Sequence, residues 1–169
     1  MAYDLASSTV LNFAMMDQAE ALVGQISTLS KTAMSLSVDL APLEFATKRY
    51  IDAAEHITQE AEKVSDDDLD QIQSVNNRLA TCERKFLGPG LPHRPWFKHV
   101  LQAPGQYLGY GSRAFPGIAD SLDAHDRIAA EEQVKIASNA LHQAAECLID
   151  RFDAAEESAN DAHEIGDLF

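Results

Sequence analysis

Five of the six prolines and six of the eight glycines of this chain lie between Phe86 and Ile118, together with Trp96, the only tryptophan. Proline lacks an amide donor and clashes with the preceding turn, and glycine in a helix interior costs about 1 kcal/mol relative to alanine. Regular structure is therefore interrupted once, and the sequence on either side is free to be helical. A connection of this length is uncommon inside a compact domain unless it is functional or disordered. Trp96, Phe97, Tyr107, Tyr110 and Phe115 argue against disorder, because disordered segments are poor in aromatic residues.

A chain of 169 residues that is 46% hydrophobic suffices for one buried core, so a single domain over residues 1–169 is expected. The net charge of −14 disfavours nucleic acid, whose phosphates need clustered Lys and Arg, and anionic lipid headgroups for the same reason. No apolar run approaches the length that spans a bilayer, and Met-Ala-Tyr-Asp-Leu lacks the basic flank of a signal peptide. The expectation is a soluble chain with neither nucleic-acid nor membrane contact.

Helical periodicity accounts for most of the rest. Leu22, Ile26, Leu29 and Ala33 share one face of a helix over about 16–35. Asp39 and Pro42 mark the start of a second, about 42–64, whose face is Leu43, Ala46, Tyr50, Ala53, Ile57, Ala61 and Val64. Ser65 and Asp68 resemble a capping box for a third, about 66–87, carrying Leu69, Ile72, Val75, Leu79, Cys82 and Phe86 inward until Gly88-Pro89-Gly90 stops it. A loop over 88–115 comes next, and Phe115-Pro116-Gly117-Ile118 reads as a helix start. The final helix, about 127–158, begins between Asp126 and Ala129 and turns Val134, Ala137, Leu141, Ala144, Leu148, Phe152 and Ala155 to one side. That face is alanine-rich, which permits close helix approach within one subunit or between two. The acidic tail 159–169 is expected to fray. The fold class is all-α: a four-helix bundle with one long Pro/Gly/aromatic-rich loop between the third and final helices.

Chemistry is harder to find. Cys82 and Cys147 fall on or beside apolar faces, so they are expected as small buried hydrophobes rather than as a bridge or a metal site. His56 with Glu60, and His142 with Glu146, have the spacing of ordinary surface pairs. Asp66, Asp67, Asp68 and Asp70 lack the glycine turn and distal glutamate of a calcium loop. Gly105, Gly109 and Gly111 come after no strand and precede no Gly-Lys-Ser/Thr. No catalytic residue and no metal ligand is assigned. His93, Arg94, Lys98 and His99 make a cationic patch interleaved with Trp96 and Phe97. Two readings stand: pairing with the chain's own carboxylates, or a contact surface.

The order Asn76-Asn77-Arg78-Leu79, Glu83-Arg84-Lys85-Phe86, Gly90-Leu91-Pro92-His93-Arg94-Pro95-Trp96-Phe97-Lys98-His99-Val100, Ala103-Pro104, Tyr110 and Phe115-Pro116-Gly117-Ile118 resembles the C-terminal dimerisation domain of the transferrin receptor and glutamate carboxypeptidase II family. The resemblance covers almost the whole chain. It implies a bundle that pairs with its own copy and packs on a peptidase-like domain, which in the peptidase members binds two zinc ions; that domain is not in this chain. It further implies no catalysis and no cofactor in this chain alone. Arg94, Trp96, Phe97, His99 and Phe115 would brace the loop or an interface. In the glutamate-cleaving members a Lys-Tyr pair on the loop holds the substrate's terminal carboxylate; the matching positions here are Gly109 and Tyr110, so the tyrosine is kept and the lysine's charge is lost. By resemblance the location is the extracellular or lumenal/vacuolar side of a single-pass membrane protein. The alternative is a receptor-type protein-binding module without peptidase activity.

Overall fold

The computed structural model describes residues 15–106 and 111–149, with side chains from Ala19 onward. Helix α1 (Met15–Ser35) leads into α2 (Ala41–Lys63) and α3 (Leu69–Thr81), and a 3-10 turn (Cys82–Phe86) carries α3 into the proline- and glycine-rich connection. Strands β1 (Gln102–Pro104) and β2 (Ser112–Ala114) come next, then α4 (Pro116–Asp123) and α5 (Arg127–Ile149). The described residues are mostly helical. Their sheet is one antiparallel pair, with Gln102 opposite Ala114, Ala103 opposite Arg113 and Pro104 opposite Ser112.

Helices α2 and α5 form the central pair, with α1 laid on α2 and both α4 and the 3-10 turn laid on α5. Leu43, Ala46, Tyr50, Ala53 and Ile57 meet Val134, Ala137, Leu141, Ala144 and Leu148, all buried. Leu43, Ile57, Leu141 and Leu148 are 0% exposed, and each such side chain contributes about 1.5–3 kcal/mol by leaving water. The start signals act as the sequence suggests. Asp39 Oδ1 accepts the Ala41 amide at 2.9 Å before Pro42 opens α2, and Asp126 Oδ1 accepts the Ala129 amide at 3.0 Å at the start of α5.

Four differences from the sequence reading have physical causes. Helix α3 begins at Leu69, because Asp68 is its cap and accepts the Gln71 amide at 3.1 Å, while Ser65 Oγ holds only the Asp67 amide. Leu69 is consequently 58% exposed rather than core-facing. At its other end the α-helix stops at Thr81 and tightens into the 3-10 turn, which still buries Cys82 and Phe86. The connection is not structureless, and its Phe-Pro-Gly-Ile end extends into α4, so five helices rather than four stand among the described residues.

The fourth correction is the cysteines. Cys82 and Cys147 are both buried, as expected, but they are bonded to one another across 65 residues with Cα atoms 5.6 Å apart. The 3-10 turn lies directly on α5, so two apolar-face positions become neighbours. In the chain-entropy account a cross-link spanning 65 residues stabilises the fold by about 4 kcal/mol. Phe152, Ala155, His163 and the tail lie outside the described residues.

Candidate functional site

The connection between the 3-10 turn and β1 is held by its own main chain. The Val100 amide donates to the Phe86 carbonyl at 2.9 Å, Gly88 to Lys98 at 2.8 Å and Leu91 to Phe97 at 3.0 Å. Inside this fold-back the Arg94 amide bonds the Leu91 carbonyl and the Phe97 amide bonds the Arg94 carbonyl, each at 3.0 Å. Gly90 sits at φ +119, and a Cβ there would fall 2.5 Å from the Pro95 carbonyl oxygen. Only glycine fits both the angle and the space.

Arg94 anchors this fold-back to the hairpin and to α4. Its side chain is 10% exposed, and its two terminal nitrogens bond the Pro104 carbonyl and Asp120 Oδ2. The other oxygen of Asp120 accepts from Arg113 at 3.1 Å, and Arg113 also reaches Asp123 at 2.7 Å. One buried carboxylate thus joins the fold-back, the hairpin and α4. The Asp123 hydrogen bond, with the charges of Asp123 and Asp120, raises the Arg113 pKa above its already high value despite partial burial. The exposed Arg113–Asp123 pair alone contributes little. The guanidinium of Arg94 also lies 5.2 Å from the centre of the Phe97 ring, a cation–π approach.

His99 works through its ring. Nδ1 accepts from the amides of Leu101 and Gln102 at 3.3 and 3.2 Å, which requires an unprotonated Nδ1. Burial lowers its pKa, with the Glu83 carboxylate pulling weakly the other way. The imidazole packs on Phe86, which meets the edge of Tyr50 at 5.4 Å between ring centres. Burial, and secondarily Glu83, pushes the Tyr50 phenol up to about 12.

Phe115 is fully buried at the head of α4, in a left-handed conformation at φ 44 and ψ 54. Its amide bonds the Leu101 carbonyl at 3.0 Å. Pro116 supplies the first turn, and a Cβ on Gly117 would lie 2.1 Å from Gln133 Oε1, so the Gln133 side chain of α5 rests against this glycine. Trp96 is placed differently from the rest: it is 69% exposed, touching Phe97 at 6.2 Å between ring centres. Arg94, Phe97, His99 and Phe115 are thus drawn into one braced unit, and Trp96 stands outside it. Gly109 and Tyr110 lie outside the described residues.

Three residues of this framework escape sequence reasoning. Asp120 and Arg113 carry no spacing signal, although an aspartate on the inward side of a short helix beside two lone arginines is a hint. Arg78 is the third. It is 0% exposed, and it donates to the Leu148 carbonyl at 3.0 Å and to Glu60 at 2.8 Å, tying α2, α3 and α5. Among the described residues, no group of three or more His, Cys, Asp or Glu side chains could hold a metal, and no helix is long and apolar enough to cross a membrane. A hollow of about 290 Å³ between α1, β2 and α4 is lined by Thr28, Thr32, Arg113, Leu122 and Asp123, but its two charged groups already pair with each other.

Residues 38–149 match the family model described as the transferrin receptor-like dimerisation domain. A probable glutamate carboxypeptidase of Arabidopsis thaliana is 30% identical over 124 residues, which is 73% of this chain and 18% of the relative. One from Arthroderma benhamiae is 29% identical over 153 residues, 86% of this chain and 21% of the relative. An inactive zinc metalloprotease of Schizosaccharomyces pombe is 37% identical over 75 residues, 44% of this chain and 9% of the relative. The chain spans about a fifth of the length of the two carboxypeptidase relatives.

Proposed function

The chain belongs to the transferrin receptor-like dimerisation domain family, and from that premise we propose that it is a non-catalytic helical module that pairs with a second copy of itself. In the parent protein it packs against a glutamate carboxypeptidase-like domain and lends the loop around Gly109 and Tyr110 to that domain's substrate pocket. Any zinc belongs to the neighbouring domain. The observation that carries this reading is the family match, which runs from Val38 through the whole connection to Ile149. The braced unit around Asp120 supports the loop's role, since it ties both strands that flank the loop to the fold-back and α4.

The Cys82–Cys147 bond favours an oxidising compartment, in keeping with the extracellular or lumenal/vacuolar side of a membrane-anchored parent. A second reading, a receptor-type module on a parent without peptidase activity, draws on the relative named as an inactive zinc metalloprotease. The zinc-ligand positions of the parent's neighbouring domain discriminate the two. Sedimentation equilibrium over a wide concentration range tests the common core of both. A dimer is expected, and a strict monomer at every concentration overturns self-association of this chain.

A further inference from the structure

No acidic residue occurs between Glu83 and Asp120, a stretch that holds Arg84, Lys85, Arg94, Lys98 and Arg113. The remaining eight cations of the chain face all 27 of its acids. Arg94 and Arg113 are taken up by Asp120 and Asp123. Arg84, Lys85 and Lys98 are exposed and form no ion pair among the described residues. Lys98 donates only to the Pro89 carbonyl, at 2.7 Å. The neighbouring Glu83 acts on Tyr50 and His99 instead. Because the fold-back sets Lys98 beside Gly88, these cations flank Leu87 and Trp96, which are 57% and 69% exposed. An exposed Trp on the fold-back, with Arg84, unpaired among the described residues, on the adjoining 3-10 turn, has the aromatic and Arg enrichment of an interface centre.

The other end of α3 shows the inverse. Asp66, Asp67, Asp68 and Asp70 surround Leu69, itself 58% exposed, and no cation occurs between Lys63 and Arg78. The helix dipole explains acids in the first turn, but Asp66 and Asp67 precede the helix and only Asp68 caps it. Between the two ends the exposed side chains of α3 are Gln71, Gln73, Asn77, Ala80 and Thr81, all uncharged.

We propose that the basic face bearing Trp96 receives the acidic α2–α3 corner of a second copy, the two α3 helices running antiparallel about a two-fold axis. A two-fold contact is made twice, so each copy contributes both halves. The 13 residues of α3 separate the two halves by roughly 20 Å, which fits within one standard interface. This proposal rests on the dimerisation reading and specifies its surface.

Charge-reversal variants of the full chain, studied by sedimentation equilibrium at low and high salt, provide the test. The wild-type dimer should weaken as salt rises, and Trp96→Ala should weaken it roughly thirtyfold or more. Lys85→Glu/Lys98→Glu and Asp67→Lys/Asp70→Lys, all at exposed positions, should each be monomeric while keeping the wild-type helical circular dichroism. Mixed together, the two variants should form a one-to-one heterodimer, since each then carries the charge the other needs at both ends. A dimer indifferent to both reversals and to Trp96→Ala would leave dimerisation standing and refute this surface. Reversals that disrupt the dimer without rescue on mixing would refute the antiparallel pairing. A wild-type monomer at every concentration would overturn both this proposal and the dimerisation reading.

Discussion

Along α2 and α5 the side chains that meet are alanine, leucine, isoleucine, valine and tyrosine, whereas the connection from Phe86 to Phe115 closes on main-chain bonds, two arginines and one aspartate. The first kind of cohesion is non-directional and tolerant of small shifts; the second depends on a few groups in register. Damage to the helical pair should therefore be felt by the whole chain, and damage to the connection should stay local. Arg78 crosses the division, being an ionic centre inside the helical layer.

Arg78→Ala should produce the largest loss, about 3–5 kcal/mol, since it empties the site of a fully buried side chain, takes away the donor to the Leu148 carbonyl and breaks a half-buried pair with Glu60. Denaturant unfolding should show it as a shift of the single global transition. The double variant Cys82→Ala/Cys147→Ala should cost about 4 kcal/mol in the same assay, again without singling out the connection.

Asp120→Asn should behave in the opposite way. It weakens charge-assisted bonds to Arg94 and Arg113, a loss of roughly 1.5–3 kcal/mol, and hydrogen exchange should rise in the described hairpin residues 102–106 and 111–114 while α2 and α5 stay protected. Uniform deprotection of both regions would collapse the distinction.

The smallest effect concerns pH. The pKa of His99 is lowered in the folded chain, so the unfolded chain takes up its proton first. The stabilisation is complete above the unfolded value of about 6.5 and declines as pH falls below it. Exchange at Leu101 and Gln102, whose amides bond Nδ1, should report the change before any global probe, and a pH-independent rate ratio between these amides and α5 would count against it. Tyr50 gives the reverse sign: its phenol is pushed up to about 12, so stability holds below about 10 and is lost as pH rises from there.

The same division decides what could be read from the sequence. Period-3.6 burial is a local signal, so Leu43 through Ile57 and Val134 through Leu148 were legible residue by residue. The mainly helical character and the family were legible too, the latter from the motifs of the connection. Asp120, Arg113 and Arg78 were not, because ionic contacts between residues 7 to 26 positions apart leave no periodicity. The Cys82–Cys147 bond was hidden similarly: each cysteine satisfies an apolar face, and only the docking of the 3-10 turn on α5 brings the sulfurs together. Leu69 misled because an apolar residue at the right spacing is indistinguishable from a core residue until the cap is seen one position earlier.

The cystine also has a topological consequence. Residues 82–147 form a covalent ring that encloses the fold-back, the hairpin, α4 and nearly all of α5. A protease that nicks the backbone anywhere inside it leaves two polypeptides still joined through the sulfur bridge, and they part only when the fold is lost and a reductant opens that bridge. A single cut within this ring can thus be made without releasing the helices on either side of it.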